Sequence, residues 1–254
     1  MLSSGRRLIS ILSGSAFWGF LCIVLLASGI QASLGFGFSI FAMMFFPYLF
    51  ATYPQAAAIS SLLSISTSCI VAVRMRKQIR WRALLPCAVG YLFSAPAAIH
   101  YSTILEKALL TRILGGALVA LGLYFIFLGG RIRIRPCARN GVITGLLSGV
   151  GGGFFAVGGP PLVVYFLSSL QNKEEYSATI QCCMVVTGLY AAAVRAANGI
   201  FTIELLKNCA AGAAAMVIGA GIGYAVMEKL PAERLKRLIY CVMIFSGAKM
   251  LLGL

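Results

Sequence analysis

Two glycine-rich stretches contain the residues best suited to bind a solute, GIQASLGFGFSIF (29–41) and GLLSGVGGGFFAVGGPPLVVYFL (145–167). In the second stretch, Gly158 and Gly159 permit non-helical backbone, and proline is favoured in the first turn of a helix. The sequence therefore predicts a helix that begins near Pro160, inside a longer apolar region. The first N–H groups of a helix are unpaired, and its N-terminus carries a partial positive charge.

The first stretch contains a similar helix start. Gly35 and Gly37 predict that a second helix begins there and carries Ser39. Two helix N-termini that face each other would bind an anion without help from a cationic side chain. The alternative is a proline kink combined with tight helix packing.

Several polar side chains lie near these breaks or on neighbouring apolar segments. Hydroxyl and amide groups can donate hydrogen bonds to an oxyanion, although serine often bonds to its own helix backbone instead. Arg195 ends an apolar segment and stands apart from other cations, so it either faces the site or extends to the membrane surface. The candidate substrate-binding residues are Gln31, Ser33, Gly35, Gly37, Ser39, Gly158, Gly159, Pro160, Tyr165, Gln181 and Arg195.

Acidic and histidine residues are too few for catalysis or metal binding. The chain has no Asp, none of its six Glu lies deep within an apolar segment, and its single histidine is His100. No two of the eight cysteines have the C-x-x-C spacing of a metal or redox site. A cation carrier usually needs a carboxylate inside the membrane, so the expected substrate is an anion. We predict no enzyme activity, no cofactor and no metal.

The composition is that of an integral membrane protein. Of the 254 residues, 60% are apolar and 11% are charged, against roughly 45–50% and 25% in soluble domains. The formal net charge of +15 does not indicate nucleic-acid binding, because the Lys and Arg residues form short clusters between apolar runs. Such clusters mark cytoplasmic loops of membrane proteins. We therefore expect a multi-pass protein in contact with lipid.

The apolar runs predict an all-α fold with about ten transmembrane segments. Crossing about 30 Å of hydrocarbon needs about 20 residues of helix. Three runs are shorter and are interrupted by glycine and proline, as in broken or re-entrant helices. Alternate loops carry fourteen and seven Lys or Arg residues, which predicts both termini outside. The long segments are 8–30, 55–73, 83–99, 108–128, 178–196, 205–227 and 235–253, and the short ones are 38–50, 141–152 and 160–170.

The two halves of the chain resemble each other. VAVRMRKQI (71–79) matches AAVRAANGI (192–200) at an offset of 121 residues. The alternative is a chance match, because segments made of a few small apolar residue types align easily. With five segments per half, an odd number, the second half must be inverted relative to the first. We predict a single membrane domain, 1–254, built from inverted repeats at 8–128 and 136–254, as in many secondary transporters.

Glycine spacing predicts close helix packing. Glycine recurs every fourth residue from Gly141 to Gly153, which places the series on one helix face. Gly219 and Gly223 have the same spacing. They are expected to pack within the chain, with the seam of a homodimer as the alternative.

The motifs resemble those of a known family. GFGFSIFAMM (35–44), the basic loop R-x-R-K-x-x-R-W-R (74–82) and GGPPLVVYFL (158–167) are similar to the sulfite exporter TauE/SafE family. The resemblance extends from about residue 18 to 250. It implies a multi-spanning protein with a duplicated half, which carries sulfur-containing oxyanions or organosulfonates.

The resemblance also implies that the breaks at 33–39 and 156–161 line the substrate path. The chain departs from the family at Ala156, where relatives commonly have glycine, and at Met43-Met44, where they often have proline. We expect a secondary transporter, either exporter or importer, that moves a small anion such as sulfite or an organosulfonate across a bacterial inner membrane. A passive anion channel and a membrane scaffold without a substrate are the alternatives.

Overall fold

A computed structural model describes residues 15–34, 36–128, 134–170, 172–227 and 232–253, with side chains except at 15–16, 32–34, 128, 220–227 and 232–239. Among these residues the regular secondary structure is entirely helical. The helices are α1 Ser15–Leu34, α2 Phe38–Met43, α3 Phe46–Leu49, α4 Tyr53–Arg74, α5 Trp81–Ile104, α6 Lys107–Leu123, α7 Ala138–Phe155, α8 Gly159–Ser169, α9 Lys173–Ala197, α10 Ile203–Met227 and α11 Ala232–Leu252.

The all-α class is therefore confirmed, and the described part of every predicted segment lies mainly in helix. The segment 38–50 is broken into α2 and α3, whereas 141–152 belongs to one continuous 18-residue helix, α7, and is not interrupted. The number of membrane crossings stays a prediction. Four described helical segments are long and apolar enough to span a membrane: Tyr53–Arg74, Trp81–Ile104, Lys107–Phe127 and Lys173–Ala197.

Both predicted helix starts are present. Helix α2 follows Gly37, whose φ of 113° is in the left-handed region that favours glycine, and α8 begins at Gly159 with prolines in its first turn. Ala156 ends α7 at a φ of 57°, in the left-handed region that favours glycine. Gly35 lies outside the described residues.

Aromatic packing holds the short helix α3 in place. The ring of Phe46 lies 5.6 Å from that of Phe20 and 5.4 Å from that of Phe50, and all three side chains are buried. Apolar contacts of this kind position a segment that is too short to be stable as an isolated helix.

The pairs of packed helices stay the same when the first and second halves of the chain are exchanged. Helix α5 packs along α7, and α10 packs along α1. Helix α6 packs along α11, and α4 packs along α9. The start of α9 contacts the residues that follow α4, so these two helices run in opposite directions.

Close packing by glycine is confirmed between α5 and α7. A Cβ added at Gly153 would lie 2.5 Å from the Ala98 Cβ, and one added at Gly145 would collide with the backbone carbonyl of Cys87. Gly219 also packs within the chain, against Leu25 and Ser28 of α1. The contacts of Gly219 are therefore explained by packing within the chain, without a homodimer interface at this residue. The homodimer stays a prediction.

Gly145→Ala is expected to destabilise the fold. The new methyl group meets Cys87 backbone, which cannot rotate away, so overpacking of about 1–3 kcal/mol or more is expected. Thermal unfolding of the detergent-purified protein would measure this as a lower midpoint. Gly116→Ala is the matched control, because its Cβ would be 3.6 Å from the Leu251 Cδ1. An equal midpoint for both variants would contradict close α5–α7 packing.

Candidate functional site

The two helix breaks share one cavity of about 70 Å³, which we call the central cavity. Gly37 and Ser39 line it from the first break, and Gly158 and Gly159 line it from the second. Arg195 lines it from α9. A single water needs about 10–15 Å³ of such space, so the cavity has room for a small solute.

Arg195 is the cation of this cavity, although its side chain is only 1% exposed. Its guanidinium donates to the Ser61 Oγ at 2.9 Å and to the Gly152 and Gly153 carbonyls at 2.9 and 3.1 Å. All of these acceptors are uncharged. Among the described residues no carboxylate lies within ion-pair distance of Arg195, so its positive charge is not neutralised by the protein there.

Burial of Arg195 decides between the two interpretations of its sequence position. The alternative that its side chain extends to the membrane surface is wrong, because the guanidinium is held by α4 and the end of α7. Arg74, which occupies the matching position in the first half, is exposed. The two halves therefore differ at the residue most able to attract an anion.

Helix α8 presents few N–H groups to the cavity. Pro160 and Pro161 have no N–H, which leaves the amides of Gly158 and Gly159 as its free donors. The Ser148 Oγ donates to the Gly158 carbonyl at 2.6 Å and fixes the turn between α7 and α8.

Helix α2 adds the second helix start to the cavity. It has only six residues, so its dipole is weaker than that of α8. The sequence predicted two helix N-termini near one cavity, and the structure has both. It also places the cation Arg195 there, which the predicted anion site did not need. Electrostatic attraction to an anion comes mainly from Arg195.

The structure brings Gly37, Ser39, Gly158, Gly159 and Arg195 around the central cavity, but not the other candidates. Gln31 joins α1 to α4, since its Nε2 donates to the Ser64 carbonyl at 3.1 Å and the Ser68 Oγ at 3.0 Å. The remaining described candidates are buried away from the cavity lining: Pro160, Tyr165 and Gln181. The Ser33 side chain and Gly35 lie outside the described residues.

Tyr165 and Gln181 have different surroundings. The Tyr165 hydroxyl donates to the Cys137 carbonyl at 3.3 Å and so holds α8 against the residues before α7. Gln181 is 2% exposed, and its Oε1 has no partner among the described residues. A binding role for either side chain stays a prediction that the central cavity does not support.

Ser61 and Tyr91 are two of the cavity residues that were not among the candidates. Ser61 accepts from Arg195, and Tyr91 contributes to the wall from α5. Tyr91 follows an ordinary apolar run, so its position gave no local signal. A polar atom in the middle of a predicted span was the only feature that could have selected these residues.

A larger cavity of about 410 Å³ lies where α4, α6 and α10 begin and α5 and α9 end. We call it the vestibule. Lys107 is the charged residue in its lining, and the Lys107 Nζ donates to the Phe50 carbonyl at 2.8 Å. The vestibule is lined by Ala51, Thr52, Tyr53, Pro54, Gln55, Ser102, Thr103, Leu105, Lys107, Asn198, Gly199, Ile200 and Thr202.

The described residues contain no group of three or more His, Cys, Asp or Glu that could hold a metal ion.

The described residues form several apolar helices of spanning length and place a buried cation beside a cavity. These features define a multi-pass membrane protein.

Comparison with known proteins gives the family. The model of the sulfite exporter TauE/SafE family matches residues 20–250, so the chain belongs to that family. A curated relative from Cupriavidus necator, named "Probable sulfite/organosulfonate exporter TauE", is 26% identical over 230 residues, which cover 87% of this chain and 88% of the relative. No solved structure matches significantly. The family consists of membrane exporters, which confirms that the chain is a transporter and not an enzyme.

Proposed function

We propose that the chain is a secondary transporter that moves sulfite or a small organosulfonate across a bacterial inner membrane, in the export direction given by the name of its relative. The observation that carries this proposal is the buried Arg195, whose described neighbours are all uncharged, beside a cavity that also contains two helix starts. A buried charge is costly unless it is paired. A transported anion would supply the missing partner.

The size and polarity of the central cavity agree with a small oxyanion. Arg195 donates three hydrogen bonds to protein acceptors, so its remaining N–H groups, together with the free amides of Gly158 and Gly159, would donate to the oxygens of the anion. The Ser61 hydroxyl orients the guanidinium. Apolar wall residues such as Ile65, Leu162 and Met184 exclude water and strengthen these interactions.

Inverted repeats would explain how the substrate reaches both sides of the membrane. The pairing of α5 with α7 and of α10 with α1, together with the antiparallel arrangement of α4 and α9, is what a two-fold axis between the halves requires. In transporters built this way, one repeat moves against the other around a fixed site. We include ten crossings and repeats at 8–128 and 136–254 in the proposal.

The two faces of the protein differ at positions that the repeat matches. On the basic face, the Gln78 Nε2 donates to Glu174 at 3.2 Å, the Arg80 amide donates to the Thr179 Oγ1 at 3.0 Å, and Arg80 pairs with Glu175. The carboxylate of Glu175 raises the pKa of the Arg80 guanidinium through this hydrogen bond. The equivalent residues on the other face, 52–55 and 198–200, line the vestibule instead. This difference is expected for a carrier that is closed on the basic face and open on the other.

Glu175→Gln is expected to loosen the closed face. Exposed ion pairs contribute about 0–1 kcal/mol, so hydrogen–deuterium exchange at residues 76–80 should become up to about fivefold faster. Lys173→Gln, in the same turn of α9, is the control and should leave exchange unchanged. Equal exchange in both variants would show that Arg80 and Glu175 do not hold this face closed.

Titration of the purified protein with sodium salts tests the substrate. Sulfite and sulfoacetate are expected to bind, whereas gluconate, an anion without sulfur, is expected to bind much more weakly. Equal or absent binding of all three would overturn the proposal. Flux that does not respond to proton or sodium gradients would favour a passive channel, and a protein that binds no anion would favour a scaffold.

A further inference from the structure

Tyr53 lies in the first turn of α4 and has an unusual environment for a tyrosine. Its side chain is 1% exposed, and its hydroxyl has no hydrogen-bond partner among the described residues. A buried hydroxyl without a partner is costly, and native proteins rarely keep one without a reason. The ring packs edge-on against Phe155 at a centroid distance of 6.3 Å, so the position of the side chain is fixed.

The position of Tyr53 relates the vestibule to the helix end that holds Arg195. Tyr53 belongs to the lining of the vestibule. Phe155, against which the ring packs, ends the helix whose carbonyl groups hold Arg195. Tyr53 therefore lies in the wall between the vestibule and the end of the helix that holds Arg195.

The remaining vestibule lining favours an anion. Lys107 is its charged residue, and its Nζ is bonded to the Phe50 carbonyl at 2.8 Å and the Ala51 carbonyl at 3.5 Å, both of them neutral acceptors. The hydroxyl groups of Thr52 and Thr202 add further donors. Helices begin and end around the vestibule in similar numbers, so Lys107, and not the helix dipoles, determines the sign of the local charge.

We infer that the vestibule is an outer subsite for the transported oxyanion, at which the Tyr53 hydroxyl donates a hydrogen bond and the Lys107 ammonium attracts the sulfite or sulfonate group. The subsite precedes or follows binding at Arg195, according to the direction of transport. The inference rests on the proposed function, because it assigns a second position to the same substrate.

Tyr53→Phe tests the inference with the least change in packing, because it removes only the hydroxyl. Sulfite binding, measured by calorimetry on the purified full chain, is expected to weaken on the order of tenfold, as for the loss of a hydrogen bond to a charged group. The thermal midpoint should stay equal or rise, since no protein partner is lost. Tyr190→Phe is the control, because its hydroxyl bonds to the Leu92 carbonyl at 3.2 Å and Tyr190 lines neither cavity, so its sulfite affinity should change less than about twofold.

A second pair of variants tests the charge. Lys107→Gln keeps a donor for the Phe50 carbonyl but removes the ammonium, so sulfite affinity should fall and its dependence on salt should weaken. Lys207→Gln, an exposed lysine outside the lining, should change neither.

The outcomes separate the inference from the proposed function. Sulfite binding by the wild type together with unchanged binding by Tyr53→Phe and Lys107→Gln would overturn the outer subsite and leave the transporter proposal intact. Weaker binding by Tyr53→Phe with a lowered midpoint would assign the hydroxyl a structural role, and would also overturn it. A wild type that binds no sulfur oxyanion would remove both proposals.

Discussion

Replacement of Arg195 by glutamine is expected to reduce sulfite binding at least about 30-fold, since loss of one partner of a buried charge pair costs about 2–5 kcal/mol. Glutamine keeps a donor that can reach the Ser61 hydroxyl or the Gly152 carbonyl, but it has no positive charge. An anion in the central cavity would then lose its only charged partner among the described residues of that lining. Calorimetric titration with sulfite and flux into proteoliposomes both measure this loss.

Arg74→Gln is the matched control for this variant. The two arginines occupy matching positions in the similar segments 71–79 and 192–200, but Arg74 is exposed at the end of α4. Its replacement is expected to change sulfite affinity by less than about twofold, in keeping with the small energies of surface charges. Equal losses in both variants would indicate a general effect of net charge, and no loss in Arg195→Gln would show that the anion binds elsewhere.

Folding of Arg195→Gln needs its own measurement, because the guanidinium also joins α4, α7 and α9. The variant leaves the Gly153 carbonyl without this donor, but it also removes a buried charge that the described residues do not neutralise. These two effects oppose each other, so the thermal midpoint is expected to change little. A variant that elutes as a monodisperse peak and still fails to bind sulfite would assign the loss to the charge.

The helix breaks could be predicted from the sequence because their causes are local. Gly37 adopts a left-handed backbone, and prolines in a first turn fix a helix start, so each signal lies within a few residues of the break. The glycine series in α7 was equally clear, since a four-residue period places the residues on one face whatever packs against it. The sequence did not indicate which helix packs against this face, and the structure shows that it is α5.

The side chains that face the cavity could not be predicted in the same way. Gln31 and Tyr165 have the polar groups that a site needs, but both are bound to backbone or hydroxyl groups of neighbouring segments. Tyr53 was not a candidate, because it lies at a predicted segment end where polar residues are common. Which way a polar side chain points depends on tertiary contacts, and no sequence pattern in this chain specifies those contacts.

The burial of Arg195 shows where sequence symmetry fails. The repeat gives Arg74 and Arg195 the same local sequence, V-R, and the same place at the end of a long helix. Asymmetry arises because Arg195 has acceptors within reach, at Ser61 and at the carbonyls near the end of α7. Similar local sequences can therefore bury one arginine beside a cavity and leave its counterpart at the surface.

Gly159→Val is expected to weaken sulfite binding roughly 5- to 150-fold, the equivalent of the 1–3 kcal/mol that overpacking costs. A Cβ at this position would lie 3.0 Å from the Met184 Cε and 4.0 Å from the Phe36 Cβ. The methionine end can move aside, so the fold should tolerate the valine. The branched side chain would instead occupy the space beside the Gly158 and Gly159 amides. Position 159 is preferable to 37 for this test, because φ at Gly37 would strain any side chain.

Gly19→Val completes the experiment as a control for the same substitution within a helix. No atom lies within 4 Å of a Cβ placed there, so neither folding nor sulfite binding should change beyond the error of the titration. Calorimetry and thermal unfolding of both variants separate the effects on binding from those on stability. Gly159→Val with wild-type sulfite affinity would mean that the glycine serves helix packing, and the anion site would then have to lie outside the central cavity. Reduced affinity at an unchanged midpoint would place the bound oxyanion against the start of α8, where its charge meets the free amides and Arg195 together.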